Sequence, residues 1–201
     1  MTHLPLTASQ TVGPFFHDCL MREDARCDVL CTPATEGTRI RVEGRVLDGD
    51  GEPVPDAVLE VWQANAHGRY HHPADRRDLP FDRAFTGYGR IATDADGRYA
   101  FTTVKPGAVL YDAERQQAPH ISIAVLGRGL LNHLYTRLYF HDEPANAVDP
   151  LLERIPADRR DTLVARRSDD ASAGAITYRF DVVLQGVNET VFFDIVTRRR
   201  T

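Results

Sequence analysis

The chain has 201 residues, enough for one domain with a sizeable core, and an ordinary globular composition, 42% hydrophobic and 26% charged. Its formal net charge of −5 argues against a nucleic-acid partner, and its only basic run, Arg198-Arg199-Arg200, reads as a solvated tail. No apolar run approaches the roughly 20 residues that cross a bilayer, Met1-Thr2-His3-Leu4-Pro5 lacks the basic and apolar regions of a signal peptide, and an odd cysteine count (Cys19, Cys27, Cys31) fits a reducing cytoplasm.

Residues 1–36 read as an arm: Pro5, the Gly13-Pro14 step and Pro33 punctuate it, and a short helix is expected within His17–Arg26. Cys27 and Cys31 could join His17 at a zinc ion, but no second ligand pair closes a tetrahedron. From there the pattern is all-β. Arg39–Val46 alternates polar and apolar residues, the mark of a half-buried strand. Asp48-Gly49-Asp50-Gly51 makes a turn into a strand at Ala57–Ala64. A long loop follows, about Asn65 to Asp82, rich in His, Arg, Asp and Pro; His71 and His72 in it read as solvated surface. Further strands are expected at Gly89–Thr93, Arg98–Val104, 119–127 and 134–140, with Asp94-Ala95-Asp96-Gly97 as a hairpin turn. The two Asp-Gly turns resemble calcium-loop openings but lack the flanking helices and closing Glu. Residues 149–163 read as helical or irregular, and two late strands cover Ile176–Leu184 and Thr190–Ile195. Many short strands between Gly and Asp turns indicate a β-sandwich with irregular insertions, the arm on 1–36 serving a subunit interface and the sandwich on 37–201.

Motifs for nucleophilic hydrolysis, phosphate binding and zinc proteolysis are absent. On the strand at 119–127, residues two apart share a face, so His120 and Ser122 project together. A His-x-His there would be a two-ligand metal site, and His-x-Ser is not one. On the strand at 134–140, Tyr135, Arg137 and Tyr139 share one face and Leu138 and Phe140 the other. An Arg between tyrosines could fork onto a carboxylate, or pair with a neighbouring acid.

Several segments, in order, together resemble the intradiol aromatic-ring dioxygenases. They are Ser9-Gln10-Thr11-Val12-Gly13-Pro14-Phe15; Leu59-Glu60-Val61-Trp62-Gln63-Ala64-Asn65 with Gly68-Arg69-Tyr70; and Thr93 to Phe101. Val104-Lys105-Pro106-Gly107, Ala118-Pro119-His120-Ile121 and Arg137-Leu138-Tyr139-Phe140 complete the set. The resemblance implies a prealbumin-like sandwich and a catalytic Fe(III) held by two tyrosines and two histidines. Carried over, His120 matches the first histidine, the second falls at Ser122, one tyrosine at Val109, the loop tyrosine near Arg77, and the catalytic arginine at Gln117. One imidazole with Ser, Val and Arg cannot hold a trivalent ion, so Arg77, Val109, His120 and Ser122 form a vestigial site.

That pattern of loss is similar to the two-chain members of the family, in which an iron-bearing beta subunit supplies the Fe(III). The implied reaction inserts O2 into protocatechuate to give 3-carboxy-cis,cis-muconate. This chain would then hold no catalytic residue and would contribute Thr11, Gly13, Pro14 and Arg137 to the substrate pocket, with Arg137 as the carboxylate anchor. A self-sufficient dioxygenase would need the ligands this chain lacks. The other competing reading is a non-catalytic prealbumin-like binding module, which shares the Gly44-x-Val46 to Pro106-Gly107 pattern.

Overall fold

The protein is described by a computed structural model, which covers residues 8–13, 15–168 and 176–194. Eleven strands are present among them: β1 (Arg39–Leu47), β2 (Val58–Trp62), β3 (Tyr88–Ala92), β4 (Arg98–Val104), β5 (Val109–Leu110), β6 (Gln116–Gln117), β7 (His120–Leu126), β8 (Leu134–Phe140), β9 (Val164–Arg167), β10 (Ile176–Arg179) and β11 (Val182–Val183). Nine of them form one sheet. Within it β7 is flanked by β2 and β8; β3 lies outside β2, and β8 leads through β9 and β10 to β1. β4 pairs antiparallel with β1, while β10 and β11 pair with it in parallel. β5 and β6 make a separate small hairpin.

Alternation fixes which face is core. Ile121, Ile123 and Val125 of β7 meet Leu59 and Val61 of β2, Ile40 and Val42 of β1, and Phe101 of β4 in one buried cluster. The sheet therefore folds over, so that strands from both ends of the hydrogen-bonded path enclose the same apolar interior.

The expected strands at 39–46, 57–64, 89–93, 98–104, 119–127 and 134–140 are present within a few residues of their ends. The expected single strand Ile176–Leu184 is split into β10 and β11. At the break, the Phe180 N–H donates to the Glu43 carbonyl (2.9 Å) and Asp181 Oδ1 accepts from the Arg45 N–H (2.8 Å), with Gly44 between them. A Cβ on Gly44 would lie 1.8 Å from the Phe180 carbonyl oxygen, so only glycine lets the two segments meet there. The helix expected in His17–Arg26 is confined to α1 (Phe16–Leu20). After it the chain is drawn onto the sheet, with the Cys27 N–H donating to Arg90 and the Leu30 N–H to Thr102. Residues 149–163 carry 3-10 turns at Leu152–Arg154 and Ala157–Leu163, preceded by another at Pro144–Val148. The late strand expected at Thr190–Ile195 is reduced to a bridge between Phe193 and Tyr135, and Ile195 lies outside the described residues.

Both Asp-Gly segments are hairpin turns. Asp48 Oδ1 accepts from the Asp50 and Glu52 N–H groups, and Asp94 Oδ1 from those of Asp96 and Arg98. Among the described residues no helix is long and apolar enough to cross a membrane.

Candidate functional site

The non-core face of β7 carries His120, Ser122 and Ala124. Register places Ser122 opposite Trp62 on one side and Arg137 on the other, and Trp62 opposite Tyr88. One row across four strands therefore reads Arg137, Ser122, Trp62, Tyr88. In the next row, His120 faces Tyr139. On a pleated sheet such neighbours touch.

The motif Trp62-Gln63-Ala64-Asn65 builds this face residue by residue. Trp62 points to it. Gln63 points inward and is fully buried; its Nε2 donates to the Ala64 and Val104 carbonyls (3.1 and 2.9 Å), and its Oε1 accepts from the Thr103 hydroxyl (2.8 Å). Asn65 Oδ1 accepts from the His67 and Arg69 N–H groups and starts the long loop. Gly107 then packs so closely on this turn that a Cβ would lie 2.5 Å from the Ala66 carbonyl oxygen. Held in this way, the loop lays Tyr70 flat on Trp62, with ring centroids 5.8 Å apart and planes 6° apart. Trp62, Tyr70, Arg77 and Val109 line a cavity of about 860 Å³.

Of the four vestigial positions, Arg77 and Val109 line this cavity, while His120 and Ser122 share the β7 face with Ser122 opposite Trp62. The loop phenol stacked on the face is Tyr70; Arg77, where the tyrosine was expected, is turned onto Asp75. Its Nε and Nη2 donate to the two carboxylate oxygens (2.8 and 2.6 Å), and Nη2 also donates to the Gly68 carbonyl (2.7 Å). The guanidinium holds the Asp75 carboxyl well below the usual carboxylate range. Gly68-Arg69-Tyr70 is part of the resemblance, but nothing in that segment places Tyr70 on Trp62. Tyr111 does not replace Val109: it is exposed, with Arg115 over its ring.

His120 is 2% exposed. Its Nδ1–H donates to the Ala118 carbonyl (2.7 Å), which leaves Nε2 as the lone-pair nitrogen, buried and without a partner. Burial, and secondarily the Arg137 charge, push the imidazole down to about 4. Asp149, missed in the sequence, supports this corner. Fully buried, it accepts from the Ala118, Leu151 and Leu152 N–H groups and from the Tyr139 hydroxyl.

Arg137 Nη1 donates to Gln117 Oε1 (2.6 Å) and to the Tyr139 hydroxyl (3.4 Å), both neutral. Among the described residues no carboxylate forms an ion pair with it. The other Arg of this face, Arg90, is by contrast neutralised by Glu60 through two bonds of 2.8 and 2.6 Å. The arm lies elsewhere. Thr11 Oγ1 accepts from the Gly129 N–H (2.8 Å), beside Arg128, which pairs with Asp56. β7 ends at Leu126, four residues or about 13 Å of extended strand from Ser122, and Gly129 follows in the turn beyond it. Thr11 thus meets the chain beyond the Leu126 end of β7, while Arg137 stands opposite Ser122, and Pro14 lies outside the described residues.

These residues do not fit a catalytic iron. The donors are one neutral imidazole, a phenol at Tyr70 that burial pushes up against the pull of Arg137 and Arg77, and the Ser122 hydroxyl. No carboxylate joins them, and a guanidinium stands on the same face. Fe(III) requires anionic donors and repels a neighbouring cation.

The family model described as "Dioxygenase" matches residues 12–186. The chain is 45% identical to the protocatechuate 3,4-dioxygenase alpha chain of Burkholderia cepacia, covering 97% of this chain and 100% of that one. It is 39% identical to the beta chain from the same organism, over 94% of this chain and 79% of that one. In fold it is similar to 3-chlorocatechol 1,2-dioxygenase from Rhodococcus opacus 1CP, with a TM-score of 0.62 at 18% identity, covering 90% of this chain and 69% of that one. Full-length kinship to such chains, on the same mostly β fold, decides the matter: this chain belongs to the family of iron-dependent intradiol ring-cleaving dioxygenases.

Proposed function

We propose that this chain is the alpha subunit of a protocatechuate 3,4-dioxygenase and works with an iron-bearing beta subunit. The observation that carries the reading is the end-to-end match to an alpha chain combined with a donor set unable to hold Fe(III). When bound in the partner, the iron supplies the oxygen chemistry that opens protocatechuate to 3-carboxy-cis,cis-muconate. This chain's residues bind and orient the substrate, which lowers the entropic part of the barrier. We read residues 37–201 as a prealbumin-like β-sandwich and 1–36 as an arm facing the partner. Gly13 supports the second point, since a Cβ added there would meet nothing in its own chain. The three cysteines are free thiols, as in a cytoplasmic protein.

Arg137 is the proposed carboxylate anchor, supported by a half-buried guanidinium with which no acid among the described residues forms an ion pair. A second reading is favoured by the bond from Gly129 to Thr11: if the arm walls the substrate pocket, the neighbouring cation is Arg128. Arg137→Ala and Arg128→Ala in the two-chain enzyme separate the two. The anchor's loss raises KM for protocatechuate by the equivalent of about 2–4 kcal/mol; the other variant changes it little. The subunit reading itself is tested by iron content and protocatechuate-dependent O2 uptake. The lone chain should show neither, and both should appear on co-expression with the beta chain. Stoichiometric iron and turnover in the lone chain would refute it.

A further inference from the structure

The vestigial centre lacks ligands, and it also holds a charge. A single change, Ser122→His, would restore His-x-His on β7, with His120 Nε2 already buried, unprotonated and unpartnered, and with Tyr70 over the same face. What such a centre would still contain is Arg137, directly opposite position 122 across β7 and β8. The guanidinium is not free to swing away. Gln117 Oε1 holds Nη1 at 2.6 Å and the Tyr139 hydroxyl lies 3.4 Å from the same nitrogen. Both holders are neutral. The nearest acid in this network, Asp149, is occupied by three backbone N–H groups and by Tyr139 itself. The charge is therefore fixed in place and left uncompensated, on a face where Arg90 is fully paired with Glu60.

We infer that Arg137 is the residue that bars a metal ion from this chain, its guanidinium held beside His120 and Ser122 so that even a restored pair of histidines stays empty while it is there. The inference deepens the subunit reading and concerns why the two kinds of chain differ in metal content. In a half-buried site, a cation a few ångströms from a divalent ion opposes binding by far more than one lost neutral ligand.

The test uses the full-length chain alone, without an affinity tag, and Co(II) as probe. Metal per chain is measured after gel filtration, together with the visible absorption of bound Co(II). Ser122→His and the charge-retaining S122H/R137K should hold no Co(II). S122H/R137Q should bind it at least about a hundred-fold more tightly than S122H. If S122H/R137Q fails to fold by circular dichroism, S122H/R137M takes its place. Equal binding by S122H and by the charge-neutral double variant would overturn the inference, as would binding by S122H/R137K equal to that of S122H/R137Q. Neither result touches the subunit reading, which fails only if the unaltered chain carries iron and turns over by itself.

Discussion

His120 shows how much one hydrogen bond decides. Because a carbonyl can only accept, Ala118 fixes the proton on Nδ1, and burial makes a second proton on Nε2 costly. Its folded pKa, about 4, lies below the unfolded value of about 6.5. Between these values the unfolded chain binds the extra proton and the folded chain does not. Stability is therefore complete above about pH 6.5 and falls as pH drops toward 4, by about 3 kcal/mol in all. Urea midpoints at pH 7 and pH 5 should differ for the wild type, and His120→Gln should remove much of that difference. An unchanged difference would mean that other groups carry the acid sensitivity. Tyr70 makes a second residue-level case. Trp62 is the only tryptophan in the chain, so its emission reports on the stack with Tyr70. Tyr70→Ala should shift that emission toward the spectrum of a water-exposed indole without unfolding the protein.

At the scale of elements, the site depends on how the loop after β2 is pinned. Gln63 ties the end of β2 to the end of β4 through two hydrogen bonds inside the core, to Val104 and from Thr103, and a third goes to its neighbour Ala64. Gln63→Leu keeps the volume but strands a buried hydroxyl and two carbonyls, so it should cost about 2–4 kcal/mol in chemical denaturation. Substitution of an exposed loop residue should cost little. Gly107→Ala should act differently: it pushes the turn at Ala66 aside and should disturb Trp62 emission more than stability. The same elements show what was readable in advance. Period-two alternation exposed β1, β2, β7 and β8 and put His120 and Ser122 on one face, because alternation is a local property. The split between β10 and β11 was not readable, since it arises from Gly44 meeting Phe180 across the sheet. The place of Tyr70 was hidden for a similar reason: it depends on Gly107 packing on a turn some forty residues earlier. Arg137 could be named from its strand face, whereas its neutral holders, Gln117 and Tyr139, and the anchoring role of Asp149 are matters of tertiary contact.

For the whole molecule, the question is which surface a partner chain covers. Exposed large apolar side chains are scattered on most proteins and need a second argument before they mean anything. Phe15 and Leu131 have one. Phe15 is 74% exposed directly after the Gly13-Pro14 step, and Leu131 is 64% exposed in the segment that lines a cavity with Ser9, Gln10 and Val12 of the arm. Among its described residues, the leading stretch 8–13 of the arm is joined to the sheet domain by one side-chain hydrogen bond, Thr11 to Gly129, and its glycine opens onto empty space. A segment so lightly held against its own sheet, edged by unburied apolar groups, is the part of the molecule with most to gain from a second chain. Phe15→Glu and Leu131→Glu together should therefore leave the thermal unfolding of the lone chain within about 1 kcal/mol of wild type, since neither side chain enters its core. In co-expression with the beta chain they should weaken association strongly, read as dissociated chains on gel filtration and as loss of protocatechuate turnover at low protein concentration. A control pair placed away from the arm, Val148→Glu and Val187→Glu, is as exposed, at 67% and 97%. If that control disrupts assembly and the arm pair does not, the partner covers the surface around Val148 and Val187 and the arm has another task.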